Sequence, residues 1–242
     1  MAIYVIADLH LSLSVNKPMD VFGGKWHRYT ERLQENWQST VTPEDWVIIP
    51  GDISWGMNFR EIKKDFEFLN SLNGRKIIIK GNHDYWWATM KKMSEFITEN
   101  GFHTINFLHN NSYIIEDKII CGTRGWLMTG VDEPDPLGGS QDNPDDVDLV
   151  MARERQRLLV SIQDGRKRTK NGEELLAFIH YPPIYGNSIC EPILEVLVEQ
   201  QVKKCYYGHI HTVSEKKLAQ SYGGVEFELI AGDHLGFTPK KI

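Results

Sequence analysis

KIIIKGNHDYWW, residues 76–87, places Ile77, Ile78 and Ile79 ahead of Lys80 and Gly81, then delivers Asn82, His83 and Asp84 before Tyr85 and two tryptophans. A short β-branched run closed by a glycine reads as a buried strand whose end meets a loop. Four more stretches repeat the arrangement: YVIADLH (4–10), WVIIPGD (46–52), LLAFIHYPP (175–183) and KCYYGHIH (204–211). In each of the four the apolar run gives way to Asp or His with at most two residues between. Helical spacing fills the intervals at 26–39, 60–72, 86–99, 148–163 and 191–201, with Trp86 and Trp87 opening the third of these. Strand and helix in alternation predict crossover units and a largely parallel sheet. More closely spaced segments at 104–107, 112–116, 118–122, 213–219 and 225–231 predict hairpins, hence a second, partly antiparallel sheet.

The segment 129–148, TGVDEPDPLGGSQDNPDDVD, breaks the pattern, because Pro, Gly and Asp displace the apolar residues and no period survives. It reads as a loop insertion in a single domain spanning 1–242. The basic run 165–170 reads as a helix end facing water, where cations meet the negative end of the dipole.

With 242 residues, 41% of them hydrophobic and 25% charged, the chain can bury a sizeable core. The apolar N-terminal run ends at Asp8 with no basic lead, so neither a signal peptide nor a membrane span is expected, and a cytoplasmic protein is. Cys121, Cys190 and Cys205 are odd in number and widely spaced, which argues for reduced, buried thiols rather than disulfides or a zinc knuckle. A net charge of −6 provides no general attraction to nucleic acid.

In open α/β sheets the carboxyl ends of parallel strands share one edge, so Asp8, His10, Asp52, Asn82, His83, Asp84, His180, His209 and His211 are expected to converge there. Taken singly, each has an ordinary explanation in a turn, a cap or a hydrogen-bonded histidine. Jointly they do not: five of the nine histidines fall at strand ends. The Asp-x-His and His-x-His spacings also put alternate side chains on one side of an extended chain. His27, His103, His109 and His234 fall outside the pattern. Imidazole, carboxylate and amide oxygen together suit Mn, Fe, Zn or Ni better than Ca or Mg. The group reads as a binuclear metal site.

At these residues the chain resembles the calcineurin-like metallophosphoesterases. The family's motifs stand in order as Asp8-Leu9-His10, Gly51-Asp52, Gly81-Asn82-His83-Asp84, His180 and Gly208-His209-Ile210-His211. The resemblance implies an α/β fold of two mixed β-sheets forming a sandwich flanked by helices. It implies one transition-metal ion, divalent or trivalent, on Asp8, His10, Asp52 and His211, and a second on Asp52, Asn82, His180 and His209. It further implies hydrolysis of a phosphate ester by in-line attack of a metal-bridging hydroxide. His83 would then protonate or stabilise the leaving oxygen, with Asp84 orienting its ring. Helix capping is a competing role for Asp84.

Departures narrow the class. The Arg-bearing motif of the protein Ser/Thr phosphatases is replaced by Gly51-Asp52-Ile53-Ser54-Trp55-Gly56, which disfavours a phosphoprotein. Arg124 is the substitute phosphate clamp on offer. Trp86, among aromatics that include Trp55, Trp126 and Tyr181, is a candidate wall for a small phosphorylated substrate. Three alternatives stand beside this reading: a non-catalytic scaffold of the same fold, a nuclease, and an enzyme of lipid-linked pyrophosphates. No membrane and no nucleic-acid polymer is expected as partner.

Overall fold

The computed structural model describes residues 1–126, 147–169, 172–211 and 214–242. The insertion expected at 129–148 falls almost entirely outside them; Val147 and Asp148 already belong to a helix. By internal contacts the chain divides into two compact units, residues 1–107 with 230–242, and residues 108–229.

The first unit contains β1 (Ile3–Val5), α1 (Tyr29–Thr40), β2 (Trp46–Pro50), α2 (Phe59–Ser71), β3 (Arg75–Ile79), α3 (Met90–Asn100) and β4 (Ile105–Phe107). In the second lie β5 (Tyr113–Ile115), β6 (Lys118–Thr123), α4 (Val147–Arg168), β7 (Glu174–Ile179), β8 (Ile184–Tyr185), β9 (Ser188–Ile189), α5 (Glu191–Glu199), β10 (Lys204–Tyr207), β11 (Ser221–Tyr222) and β12 (Val225–Leu229). The terminal β13 (Lys240–Lys241) returns to the first unit. The architecture is mixed α/β, with two large mixed sheets and five α-helices among the described residues, as the sequence led us to expect.

In the first sheet the order is β13-β1-β2-β3-β4; β1 to β4 are parallel and only β13 is antiparallel. Val5, Val47, Ile48, Ile49, Ile77 and Ile78 are fully buried, which is why these strands are continuous apolar runs rather than alternating ones. The second sheet has the order β11-β12-β10-β7-β6-β5, with parallel pairing from β12 through β6 and antiparallel pairs at both edges. In both sheets the strands expected from sequence lie parallel, so their carboxyl ends share an edge.

Three local expectations are corrected. Residues 104–107 form no hairpin with 112–116: β4 joins the first sheet beside β3, reached through α3. The antiparallel partner of β12 is β11 and not 213–219, whose described part contains a 3-10 turn at Glu215–Lys217. The signal is Gly223-Gly224, both at positive φ, which closes a two-residue hairpin between Tyr222 and Val225. Trp86 and Trp87 do not begin α3. Tyr85 N donates to His83 O and Trp87 N to Asp84 O, closing tight turns instead of a helix, and Thr89 caps α3 by accepting from Lys92 N.

All three cysteines are free and buried. No helix among the described residues is long and apolar enough to cross a membrane.

Candidate metal centre

In the first unit the chain leaves β1 into Asp8 and His10 and leaves β2 into Asp52. These two exits run side by side: Asp8 N donates to Gly51 O at 3.1 Å, His10 N to Asp52 O at 2.9 Å and Leu11 N to Ile53 O at 2.9 Å. The pairing extends the sheet past its strands and brings His10 Nε2 to 3.6 Å from Asp52 Oδ2. Asp8, His10 and Asp52 are each no more than 1% exposed. Charged groups so deeply buried are costly unless paired or bound to a metal.

The backbone there is strained. Asp8 (φ 58°), His10 (φ 45°) and Asp52 (φ 54°) lie in the left-handed region, which a side chain with a Cβ disfavours. In the second unit His209 (φ 72°) does the same. Four of the nine non-glycine residues at positive φ among the described residues are thus candidate ligands. Strain of this kind costs on the order of 1–3 kcal/mol per residue and persists where the surroundings over-determine the geometry, as at functional sites.

The third exit, after β3, carries Gly81, Asn82, His83 and Asp84. His83 N donates to Asp52 Oδ1 at 2.9 Å, so the backbone of this loop orients the Asp52 carboxylate. Gly81 has no alternative here, because a Cβ would overlap Asp52 N and Oδ1. Asn82 and His83 are buried, 6% and 2% exposed. The His83 ring tilts against Trp55 at 4.4 Å and stands 5.6 Å from His10; the His10 ring in turn stacks on Trp55 at 5.0 Å.

Asp84 departs from the expected role. Its Oδ2 accepts from Gly81 N (2.7 Å) and Asp52 N (3.0 Å), while Oδ1 accepts from Ile53 N (2.9 Å), Ser54 N (3.4 Å) and Trp86 Nε1 (3.1 Å). The carboxylate ties the β2 and β3 exits together, and His83 is not among its partners in the described residues. Nor does it cap a helix. Burial pushes its carboxyl up, against the pull of the N–H groups of Gly81, Ile53 and Ser54. Trp86 is likewise a packing residue: 3% exposed, edge-on to Phe66 at 5.1 Å, its indole N–H spent on Asp84. The ring is embedded in the core rather than standing as an open wall.

Sequence reasoning overlooked Asp65. This α2 residue is fully buried, accepts from Leu13 N at 2.8 Å and takes a short hydrogen bond from Ser54 Oγ, so one carboxylate holds the loops that follow His10 and Asp52. Burial raises its pKa to about 6. An Asp on the apolar face of α2, between Ile62 and Phe66/Leu69, was the available signal.

In the second unit His180 follows β7, and His209 and His211 follow β10. The His180 and His209 rings stand 5.2 Å apart at 72° and are 0% and 8% exposed; His211 is half-buried. Tyr181 packs against both, 5.2 Å from His180 and 4.5 Å from His209. The carbonyl of Arg124, just past β6, accepts from His180 N (3.1 Å) and Tyr181 N (3.0 Å), and Gly208 N donates to His180 O (3.1 Å), so three strand exits are locked by backbone bonds. The Arg124 guanidinium rests 4.8 Å over Trp126. Trp126 is buried with Tyr181 and Val150.

Asp8, His10 and Asp52 in the first unit, and His180, His209 and His211 in the second, are carboxylates and imidazoles, the donor types that suit transition metals.

An uncharacterised protein of Methanocaldococcus jannaschii is 28% identical over 135 residues, 53% of this chain and 67% of that protein. A protein of unknown function from Aquifex aeolicus has a similar fold, with TM-score 0.53 at 16% identity over 99% of this chain and 95% of its own. The phosphopantetheinyl hydrolase of Mycobacterium tuberculosis is similar too, with TM-score 0.56 at 12% identity over 100% and 95%. At such identities the likeness concerns the fold. The sequence profile of the calcineurin-like phosphoesterases matches residues 1–213, and the chain belongs to that family.

Proposed function

We propose that this protein is a binuclear metal-dependent phosphohydrolase acting on a small phosphomonoester or phosphodiester. The observation that supports the reading is the left-handed backbone at Asp8, His10, Asp52 and His209, strain concentrated on buried carboxylate and imidazole groups able to ligate a metal. By resemblance to the family's motifs, Asp8, His10, Asp52 and His211 would hold one ion and Asp52, Asn82, His180 and His209 the other. Bound there, two transition-metal ions supply Lewis acidity, an activated water and compensation for phosphoryl charge.

The chain's own groups do the rest. Asp52 is oriented for its shared role by the His83 N–H on Oδ1. The His83 imidazole, held against Trp55, delivers a proton to the departing oxygen. Arg124, whose carbonyl fixes the start of the His180 loop, reaches a non-bridging phosphoryl oxygen. The missing protein-phosphatase Arg motif and the net charge of −6 favour a compact phosphate ester over a phosphoprotein or duplex DNA.

Metal analysis of the protein and of Asp52→Asn, paired with turnover of phosphomonoesters and phosphodiesters, tests this. Two metal equivalents in the parent protein and loss of both ions and turnover in the variant are expected. A fully occupied, normally active variant would sink the binuclear assignment, and a metal-loaded parent that hydrolyses no ester would leave the scaffold reading in its place.

A further inference from the structure

We propose that Lys17 forms, on the face of Trp55, a subsite for a second anionic group of the substrate, so that the preferred ester carries another phosphate or a carboxylate close to the scissile phosphate. This rests on the metal-site reading above and extends it to substrate class.

The Lys17 ammonium stands 3.9 Å from the centre of the Trp55 indole. The same indole is the surface on which His10 stacks at 5.0 Å and against which His83 tilts at 4.4 Å. One buried ring, 5% exposed, therefore carries a candidate ligand, the candidate acid and an exposed cation. A cation–π contact fixes an ammonium while leaving the N–H donors on its outer side free for an acceptor.

The support is built rather than incidental. Trp55 Nε1 donates to Met19 Sδ at 3.2 Å, and Met19 is 1% exposed, so the chain two residues beyond Lys17 is pinned to the edge of the same ring. Further on, Trp26 meets His10 edge-on at 5.8 Å, and Tyr29 Oη donates to His10 O at 2.7 Å. The long connection between β1 and α1 is thereby anchored along its length to the motif loops. Between β1 and α1 the only regular pieces among the described residues are two short 3-10 helices, Met19–Phe22 and Gly24–Trp26, and long connections of this kind are commonly binding loops. Among the described residues Lys17 forms no ion pair, in a chain with 33 acidic residues against 27 basic ones. A cation held beside a candidate anion-processing site, with no ion pair among the described residues, is suited to an anion supplied from outside.

The test uses inhibitors of p-nitrophenyl phosphate hydrolysis by the metal-loaded protein. Phosphonoacetate carries a second anionic group and methylphosphonate does not. The parent should bind phosphonoacetate more tightly, Lys17→Ala should shrink that preference by about tenfold, the range of a charged hydrogen bond at a solvated site, and Lys17→Arg should keep it. Metal content should be equal in all three proteins. A preference unchanged in Lys17→Ala, with p-nitrophenyl phosphate still hydrolysed, overturns the subsite alone. Absence of hydrolysis by the metal-loaded parent overturns the phosphohydrolase reading and the subsite with it.

Discussion

A methyl group at Gly81 would occupy the space of Asp52 N and Oδ1, so this glycine is required by close approach. Gly81→Ala is expected to displace Asp52 and lower metal content together with kcat/KM, by more than about tenfold if Asp52 serves both ions as proposed. Elemental analysis beside kinetics checks it; full occupancy in the variant would contradict the assigned role of Asp52. His83 differs, since its backbone N–H serves Asp52 while its ring is not among the proposed ligands. His83→Ala keeps that N–H. It should retain metal and lose about 10²- to 10⁴-fold in turnover on esters with poor leaving groups, and much less on p-nitrophenyl phosphate. Equal losses on both would exclude proton donation.

Elements are joined by two buried carboxylates. Asp84 collects five donors from the β2 and β3 exits, and an amide in its place cannot accept as many without turning an N–H toward a donor. Asp84→Asn is expected to cost about 3 kcal/mol of stability, read from urea unfolding. Asp65 links α2 to the loops after β1 and β2, and its carboxyl titrates at about 6 in the fold against 3.8 for an ordinary Asp. Between those values the folded chain binds the proton that the unfolded chain has released. Stability attributable to Asp65 therefore falls as pH rises from about 4 to about 6, by roughly 3 kcal/mol, and is flat above. The stability difference between parent and Asp65→Asn, followed by urea unfolding from pH 4 to 7, should trace that decline. A difference independent of pH would remove Asp65 from the account.

At the scale of the whole molecule, the buried candidate ligands at the strand exits would make a bound metal ion a contributor to stability. Ligand binding to the folded chain alone adds RT ln(1 + [L]/Kd), about 4 kcal/mol at a thousandfold excess over Kd. Chelation should therefore lower Tm by several degrees, and Mn or Zn should restore it. An unchanged Tm in EDTA would mean that these groups hold no resident ion. The readout is independent of any substrate.

The sequence by itself determined five of the parallel strands, β1, β2, β3, β7 and β10, and the residues at their ends, because strands buried on both faces must be continuous apolar runs and their polar exits are visible where those runs stop. Asp8, His10, Asp52, Asn82, His180, His209 and His211 were legible for that reason, and their ordered motifs resemble one family. Tertiary structure decided what local pattern leaves open. Asp84 and Trp86 share the motif's spacing with His83, yet their side chains turn inward to Asp52, Ile53 and Phe66, since loop backbone N–H groups buried away from water must find acceptors. The same demand, met 52 residues away in sequence by an Asp65 bond to Leu13 N, has no local signature, and neither does the indole that gathers His10, His83 and Lys17. Spacing along the chain specifies which groups reach a strand's end; only the packing of separate exits against one another specifies which of them are left to face a substrate.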